Sequence, residues 1–202
     1  MRYKQKRVYS WSPGLAYTVG LIASDGCLQK DGRHIDLTSV DIEQLHNFQE
    51  AIGRKLPISS KFNNNNQKAW RIQFSDVAYY DFLLSAGLTP NKSKTIGSLD
   101  IPDELYSDFL LGLFDGDGSS FGFVDKRWKS SFMFYITFTS ASPLFLNFIK
   151  ATNTRRSHTT GGFVHKSIRA ESLAYAKRDS HLLFAYMYKT GHVPSLTRKK
   201  LK

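Results

Sequence analysis

Asp25 and Asp117 occupy equivalent positions in two similar segments, 20–26 (GLIASDG) and 112–118 (GLFDGDG), and each directly precedes a glycine. Both segments read as helix ends, so each carboxylate would lie at the negative C-terminal pole of a helix. Two carboxylates close together at such poles repel each other, and stability does not explain them. A divalent cation would explain them, because Mg²⁺ is held in proteins through one or two carboxylates plus substrate phosphates.

Glycines inside the two predicted helices give the reason to expect the aspartates side by side. Gly20, Gly112 and Gly116 each cost up to about 1 kcal/mol relative to alanine in a helix. Ala16, Gly20 and Ser24 share one helix face, as do Gly112 and Gly116. Such small residues let two helix backbones pack closely, so we predict that the two helices meet on a pseudo-two-fold axis. The glycine after each aspartate is expected to end its helix in a left-handed conformation.

The same order of helices and strands occurs twice along the chain, as an internal repeat. Segments 37–39 and 85–90 match 138–140 and 189–194 in the same order. Each copy predicts a helix, two strands, a helix, two strands and a helix. The fold class is therefore α+β, with two pseudo-symmetric αββαββα repeats. We place the first repeat at 1–95, a linker at 96–101 and the second repeat at 102–202.

Hydrophobic periodicity positions these elements. Opening helices are predicted at 13–25 and 102–117, middle helices at 41–52 and 142–151, and closing helices at 75–86 and 180–188. Alternation at period two predicts half-buried strands. Their side chains toward the helices would be Ile35, Leu37, Trp70, Ile72, Phe74, Phe132, Phe134, Ile136 and Phe138. The opposite face would present His34, Asp36, Thr38, Arg71, Gln73, Met133, Tyr135, Thr137 and Thr139.

The chain of 202 residues carries a net charge of +11, which favours a polyanionic partner and first of all nucleic acid. A basic protein whose charge only aids solubility is the alternative. Cys27 is the single cysteine, which excludes an internal disulfide and a multi-cysteine zinc site. No apolar run approaches the roughly 20 residues that a bilayer requires, and no secretory signal is visible. An intracellular location is expected, in bacteria, archaea or an organelle.

Other interpretations of the Asp-Gly segments have less support. A single Asp-Gly at a helix end is usually a simple cap, but two at equivalent repeat positions in a basic chain favour a functional pair. A calcium loop starting at Asp115 would have Ser120 instead of glycine at its sixth position and Lys126 instead of glutamate at its twelfth. Gly116, Gly118 and Gly122 lack the lysine of a phosphate-binding loop.

Segment 111–118 (LGLFDGDG) resembles the motif of the LAGLIDADG homing endonuclease family, in its single-chain, two-motif form. The first copy departs from the motif at Ala23 and Ser24, where the family has an acid and an alanine. The family's metal-binding acid directly precedes the final glycine, which corresponds to Asp25 and Asp117. The element order over the whole chain and segment 194–199 are also similar to the family.

The resemblance implies a saddle of two antiparallel sheets, with the motif helices packed at its centre and the concave face in the DNA major groove. It implies a monomer that makes a double-strand break at a long DNA site by phosphodiester hydrolysis with Mg²⁺ or another divalent cation. Asp25 and Asp117 would bind the metal, with the carbonyls of Ser24 and Gly116. The family places one basic residue near each scissile phosphate. We choose Lys92 and Lys199, with Lys94 and Arg198 as alternatives.

Candidate DNA-contacting residues are basic, polar or aromatic side chains on the predicted strands, hairpins and adjoining loops. They are Arg33, His34, Lys61, Asn64, Gln67, Lys68, Arg71, Gln73, Lys126, Arg127, Lys129, Tyr135, Lys166, Arg169, Lys177 and Arg178. We expect Lys61, Lys68, Arg127, Lys129, Lys166 and Arg178 to extend the face of Arg71 and Gln73. Two alternatives use the same scaffold: an RNA-splicing maturase that binds intron RNA, and a DNA-binding regulator that does not cleave.

Overall fold

The structure is a computed structural model that describes residues 7–62, 66–124, 126–127, 132–166, 168–189 and 191–201. The first repeat contains α1 (Pro13–Ser24), β1 (Gly26–Leu28), β2 (His34–Ser39), α2 (Ile42–Ala51), β3 (Ile58–Phe62), β4 (Lys68–Ser75) and α3 (Val77–Ser85). The second contains α4 (Tyr106–Asp117), β5 (Gly118–Val124), β6 (Phe132–Ser140), α5 (Pro143–Ser157), β7 (Phe163–Lys166), β8 (Glu171–Ala176) and α6 (Arg178–Met187). A short helix, α7 (Thr197–Lys200), follows.

The two sheets have the same topology, which confirms the predicted fold. The first sheet has the strand order β1-β2-β4-β3 and the second the order β5-β6-β8-β7, and every described strand pair is antiparallel. Each repeat therefore forms the predicted αββαββα unit, and the two units build the α+β saddle. None of the helices in the described part of the chain has the length and apolar character needed to cross a bilayer.

The core lies between the sheets and the helices, with α1 and α4 at its centre. Leu21, Ile22, Phe109 and Phe114 of these two helices are fully buried in one continuous apolar cluster. α1 begins as predicted, because the Ser12 side chain accepts a hydrogen bond from the Leu15 N–H (3.2 Å) and proline follows it.

Several expectations about single elements are wrong. α5 extends to Ser157 instead of ending near residue 151, and α7 was not predicted. Phe132 was expected in the core but is 59% exposed, because β6 begins beyond the edge of the helix layer. Trp70 of β4 packs against the core as expected, although it is only half-buried.

The glycines after the two aspartates do not adopt a left-handed conformation, which corrects that expectation. Gly118 is extended (φ −85°, ψ 154°), and Gly26 is also outside the left-handed region. Both are the first residues of strands that turn back directly over their own helix. A β-carbon would lie 2.6 Å from Ile22 Cα at Gly26 and 2.6 Å from Phe114 Cα at Gly118. Close approach is therefore what requires glycine here.

Candidate active site and nucleic-acid interface

α1 and α4 pack with their backbones in contact, as the small residues predict. A β-carbon at Gly20 would overlap the Phe109 carbonyl oxygen and lie 2.6 Å from the Leu113 nitrogen. A β-carbon at Gly112 would overlap the Tyr17 carbonyl oxygen. Neither helix can move away to relieve such an overlap without opening the core, so these glycines set the distance between the two helices.

This packing brings Asp25 and Asp117 together at one end of the helix pair. A β-carbon on Gly116, the residue before Asp117, would lie 3.2 Å from Asp25 Oδ2. Burial raises the pKa of Asp25, with Gln44, Lys199 and Lys92 opposing the rise. Asp117 reaches solvent, yet the protein around its carboxylate and the charge of Asp25 raise its pKa to about 6. The expected repulsion between two carboxylates is therefore present.

Gln44 of α2 holds Asp25 in place, and the sequence analysis missed it. Its Nε2 donates to Asp25 Oδ2 at 2.7 Å, while its Oε1 accepts from the Ser39 hydroxyl at 2.7 Å. Because Ser39 donates to the Gln44 Oε1, the Gln44 amide nitrogen is the atom directed toward the Asp25 carboxylate. The corresponding position in the second repeat is Phe145, so Asp117 has no equivalent amide partner. A buried polar residue on the inner face of a predicted helix was the available signal.

Lys92 and Lys199 lie at corresponding places beside the two aspartates. Lys92 Nζ donates to the carbonyl of Gly26 at 2.6 Å, and Lys199 Nζ donates to that of Gly118 at 2.6 Å. Each lysine thus binds the residue that follows an aspartate. Lys94 is exposed, and Arg198 Nε pairs with Asp41 Oδ2 at 2.8 Å.

The two lysines differ in what else they contact. Lys199 Nζ also contacts the carbonyls of Phe114 (2.5 Å), Asp115 (2.8 Å) and Gly116 (3.1 Å), so its donors are used on the last turn of α4. Burial lowers its pKa to about 8. Burial also lowers the pKa of Lys92, whose ammonium has one hydrogen bond within the described residues, to the Gly26 carbonyl. Lys199 therefore caps a helix, whereas Lys92 keeps donors for a ligand.

Lys92 and Asp117 line the same cleft. It has a volume of about 230 Å³ and is also lined by Ser24, Ser93 and Thr139. A basic and an acidic residue thus line one open space between the repeats. A phosphate group bound there would meet a cation and the carboxylate end of α4.

Asp115 is the second acid of the α4 motif and serves the packing of the C-terminal segment. It is fully buried, and its Oδ2 accepts from the Tyr17 hydroxyl (2.7 Å) and the Leu196 N–H (3.0 Å). Burial raises its pKa to about 6. The equivalent residue in the first repeat is Ala23, so this link exists only once.

The residues at the helix ends fit a divalent cation held jointly with substrate. They provide two carboxylates whose repulsion a cation would relieve, and the described residues contain no cluster of three or more His, Cys, Asp or Glu side chains that would form a closed site. The Gly116 carbonyl already accepts from Lys199, but a carbonyl oxygen has two lone pairs. The Ser24 hydroxyl shares its proton between the carbonyls of Gly20 (3.1 Å) and Leu21 (3.0 Å), and the Ser24 carbonyl stays a predicted ligand.

The outer faces of the sheets, away from the helices, carry part of the predicted DNA-contacting set. Strand register places His34, Lys61, Arg71 and Gln73 on the outer face of the first sheet and Tyr135 on that of the second. Arg71 forms an ion pair with Asp36, whose Oδ1 also accepts from Thr38. Loops and turns outside the strands hold Arg33, Gln67, Lys126, Arg127, Arg169 and Lys177.

Some members of the set lie elsewhere. The expectation that Lys68 shares the face of Arg71 is wrong, because Lys68 points to the side of Trp70 and its Nζ lies 4.3 Å from that ring centroid. Lys166 likewise lies on the inner side, in register with Glu171 and alternating away from the outer face. Arg178 begins α6 instead of extending a sheet face. Asn64 and Lys129 fall outside the described residues.

Solved structures share this fold over nearly the whole chain. The homing endonuclease I-WcaI bound to its DNA recognition sequence matches with a TM-score of 0.67 and 12% identity, covering 96% of this chain and 87% of that one. Mesophilic variants of the homing endonuclease I-DmoI match with a TM-score of 0.60 and 13% identity, covering 94% and 96%. The N-terminal LAGLIDADG domain of DUF199/WhiA matches with a TM-score of 0.58 and 14% identity, covering 92% and 84%.

These similarities define the class of fold, the two-repeat LAGLIDADG saddle. No protein-family model and no curated protein matches the sequence. The same saddle occurs in structures of homing endonucleases and in the N-terminal domain of DUF199/WhiA, so the fold alone does not determine cleavage.

Proposed function

We propose that the protein is a site-specific DNA endonuclease that makes a double-strand break with the help of Mg²⁺ or another divalent cation. The observation that carries this proposal is the pair Asp25 and Asp117 at the ends of two helices held in backbone contact. Asp25 accepts from Gln44, but the Asp117 side chain makes no hydrogen bond or ion pair within the described residues, so neither packing nor capping explains the second carboxylate. The net charge of +11 and the DNA recognition sequence bound by I-WcaI support duplex DNA as the partner.

In the proposed mechanism, Asp25 and Asp117 would hold a divalent metal from the two repeats. When bound, that metal would supply a water of lowered pKa and positive charge for the phosphate and the leaving 3′ oxygen. Gln44 keeps the Asp25 carboxylate in one orientation by donating to its Oδ2. Lys92 offers its remaining N–H donors to a phosphate oxygen in the cleft that it shares with Asp117. Lys199 keeps the end of α4, and with it Asp117, in place.

The decisive test replaces each aspartate by asparagine, which keeps the shape and removes the charge. We expect Asp25→Asn and Asp117→Asn to abolish double-strand cutting of a randomised duplex library with Mg²⁺, or to leave slow nicking, while DNA binding persists. The melting temperature without metal should stay level or rise, because one of two repelling charges is gone. Full cleavage by either variant would exclude the mechanism, and a large fall in both melting temperatures would make the aspartates structural.

The two alternatives on this scaffold predict other results. A maturase would shift structured intron RNA in a gel and would not depend on the carboxylates, and a regulator would bind duplex DNA without cutting it in Mg²⁺. Retention of both aspartates in a site with raised carboxylate pKa values favours the enzyme.

A further inference from the structure

The outer face of the second sheet is aromatic and uncharged, unlike that of the first sheet. Register places Phe121, Phe123 and Tyr135 together on this face, with Phe163 on the far strand β7. Among the described strand residues that point this way, none is Lys, Arg, Asp or Glu. The equivalent face of the first sheet carries Arg71 with Asp36, so the two repeats offer different chemistry.

Three of these rings form an exposed stack. Phe121 lies directly opposite Tyr135, with ring centroids 5.0 Å apart and planes within 6°. Phe123 stacks on the same tyrosine at 6.1 Å and 5°. Phe121 remains 48% exposed and Phe123 46% exposed. Leaving this much apolar surface in water is unfavourable, which indicates a partner that covers it.

The surroundings of the stack identify the chemistry of that partner. Lys126 and Arg127 lie at the tip of the β5–β6 hairpin, and Lys177 lies at the same end of the sheet, because Ala176 pairs with Tyr135. Arg169 lies at the opposite end, in the turn between β7 and β8. An uncharged floor between basic ends matches a duplex groove, with phosphates at the ends and base edges in the middle. The apolar group that base pairs present in the major groove is the thymine C5-methyl, which phenylalanine contacts.

Contact between the ring edges and the DNA fits this arrangement better than stacking of the rings on bases. Each of the three rings already has a face against another ring, which leaves fewer of the free aromatic faces on which binding of single strands relies. Thymine methyl groups in an intact duplex need only the exposed edges.

We propose that the second sheet recognises thymine methyl groups in one half of the target, with Phe121, Phe123 and Tyr135 as specificity-determining residues. The first sheet then reads the other half by hydrogen bonds from side chains such as Gln73. This inference rests on the proposed function, since it assumes a duplex DNA target.

The test removes the methyl groups from the DNA. Duplexes bound by the wild-type protein without divalent metal are enriched from a random library, and each thymine of the enriched site is then replaced singly by deoxyuridine. Losing one buried methyl contact should weaken binding about fourfold. We expect such losses at several thymines within one half-site and none in the other half.

Variants assign the effect to the ring stack. In the double variant Phe121→Ala/Phe123→Ala the deoxyuridine penalty should disappear. In the matched control Phe132→Ala, an exposed phenylalanine of the same hairpin that points to the other side, the penalty should persist.

Each outcome has a separate meaning. Equal tolerance of deoxyuridine in both halves by the wild-type protein, or a penalty unchanged in the double variant, would overturn this inference while leaving the endonuclease proposal intact. Preferential binding of single strands through the same rings would also overturn it. Failure to enrich any duplex sequence would contradict the proposed function itself.

Discussion

At the scale of residues, the most informative comparison is between Lys92 and Lys199. Both bind the carbonyl that follows an aspartate, but Lys199 fills a cage of carbonyls from the last turn of α4. A buried ammonium with all donors used stabilises a helix end, whereas one with donors left can also meet a phosphate. The same residue type thus has different physical roles in the two repeats.

Methionine substitution separates these roles, because it keeps most of the apolar stem. Lys199→Met should lower the free energy of unfolding by at least about 3 kcal/mol, since several buried carbonyls lose their donor. Lys92→Met should fold well and cut DNA about 10²- to 10³-fold more slowly. Chemical denaturation and cleavage rates measure the two effects, with exposed Lys94→Met as the control. A stable Lys199→Met or a fully active Lys92→Met would contradict this assignment.

The raised pKa of Asp117, about 6, predicts a pH dependence of both activity and stability. A proton on this carboxylate would compete with the metal, so cleavage at subsaturating metal should fall as the pH drops below 6. In the folded state the group holds its proton more tightly than in the unfolded chain. The metal-free wild-type protein should therefore gain stability relative to Asp117→Asn as the pH falls from 7 to 5. Melting temperatures of both proteins, measured at pH 7 and pH 5 with a chelator, check the direction of this change. If the difference between the two proteins is the same at both pH values, the pKa of Asp117 is not raised.

At the scale of elements, the α1–α4 pair determines where the site can form. Helix propensity favours alanine over glycine, but a β-carbon at Gly112 would overlap the Tyr17 carbonyl. The tertiary contact therefore opposes the local preference. Both strands after the aspartates also start on glycine, because β1 and β5 fold back against their own helices.

Gly112→Ala should destabilise the protein by about 1–3 kcal/mol through overpacking, and it should reduce cleavage by separating the two aspartates. Gly97→Ala is the matched control, because Gly97 has open space around it and no left-handed backbone. Urea unfolding of both variants measures the difference. If Gly112→Ala stabilised the protein, the gain in helix propensity would exceed the cost of overpacking.

At the scale of the whole molecule, charge and shape separate general attraction from recognition. The excess of positive charge favours attraction to any duplex, while we propose that the outer faces of the two unlike sheets contact base edges. Lys126→Ala should reduce the slope of log affinity against log salt by about 0.9 and weaken all sequences alike. Gln73→Ala should instead cost about 1–3 kcal/mol at particular base pairs. Binding measured at several salt concentrations on matched and mismatched sites distinguishes them; identical behaviour of both variants would mean that the first sheet does not read bases.

The sequence by itself determined the features that depend on local periodicity. The order of helices and strands, the duplicated motif, the small residues of α1 and α4 and the positions of Asp25 and Asp117 all follow from spacings within one element. The same holds for the inner residues of the strands, except at the end of β6, where Phe132 extends past the helices that would cover it.

Only the tertiary structure decided which distant side chains meet. Gln44 reaches Asp25 from another helix, Lys199 crosses from the C-terminal segment to α4, and Asp115 binds Leu196 far along the chain. These contacts join residues far apart in sequence, and their partners are set by how the elements pack, which no local pattern encodes.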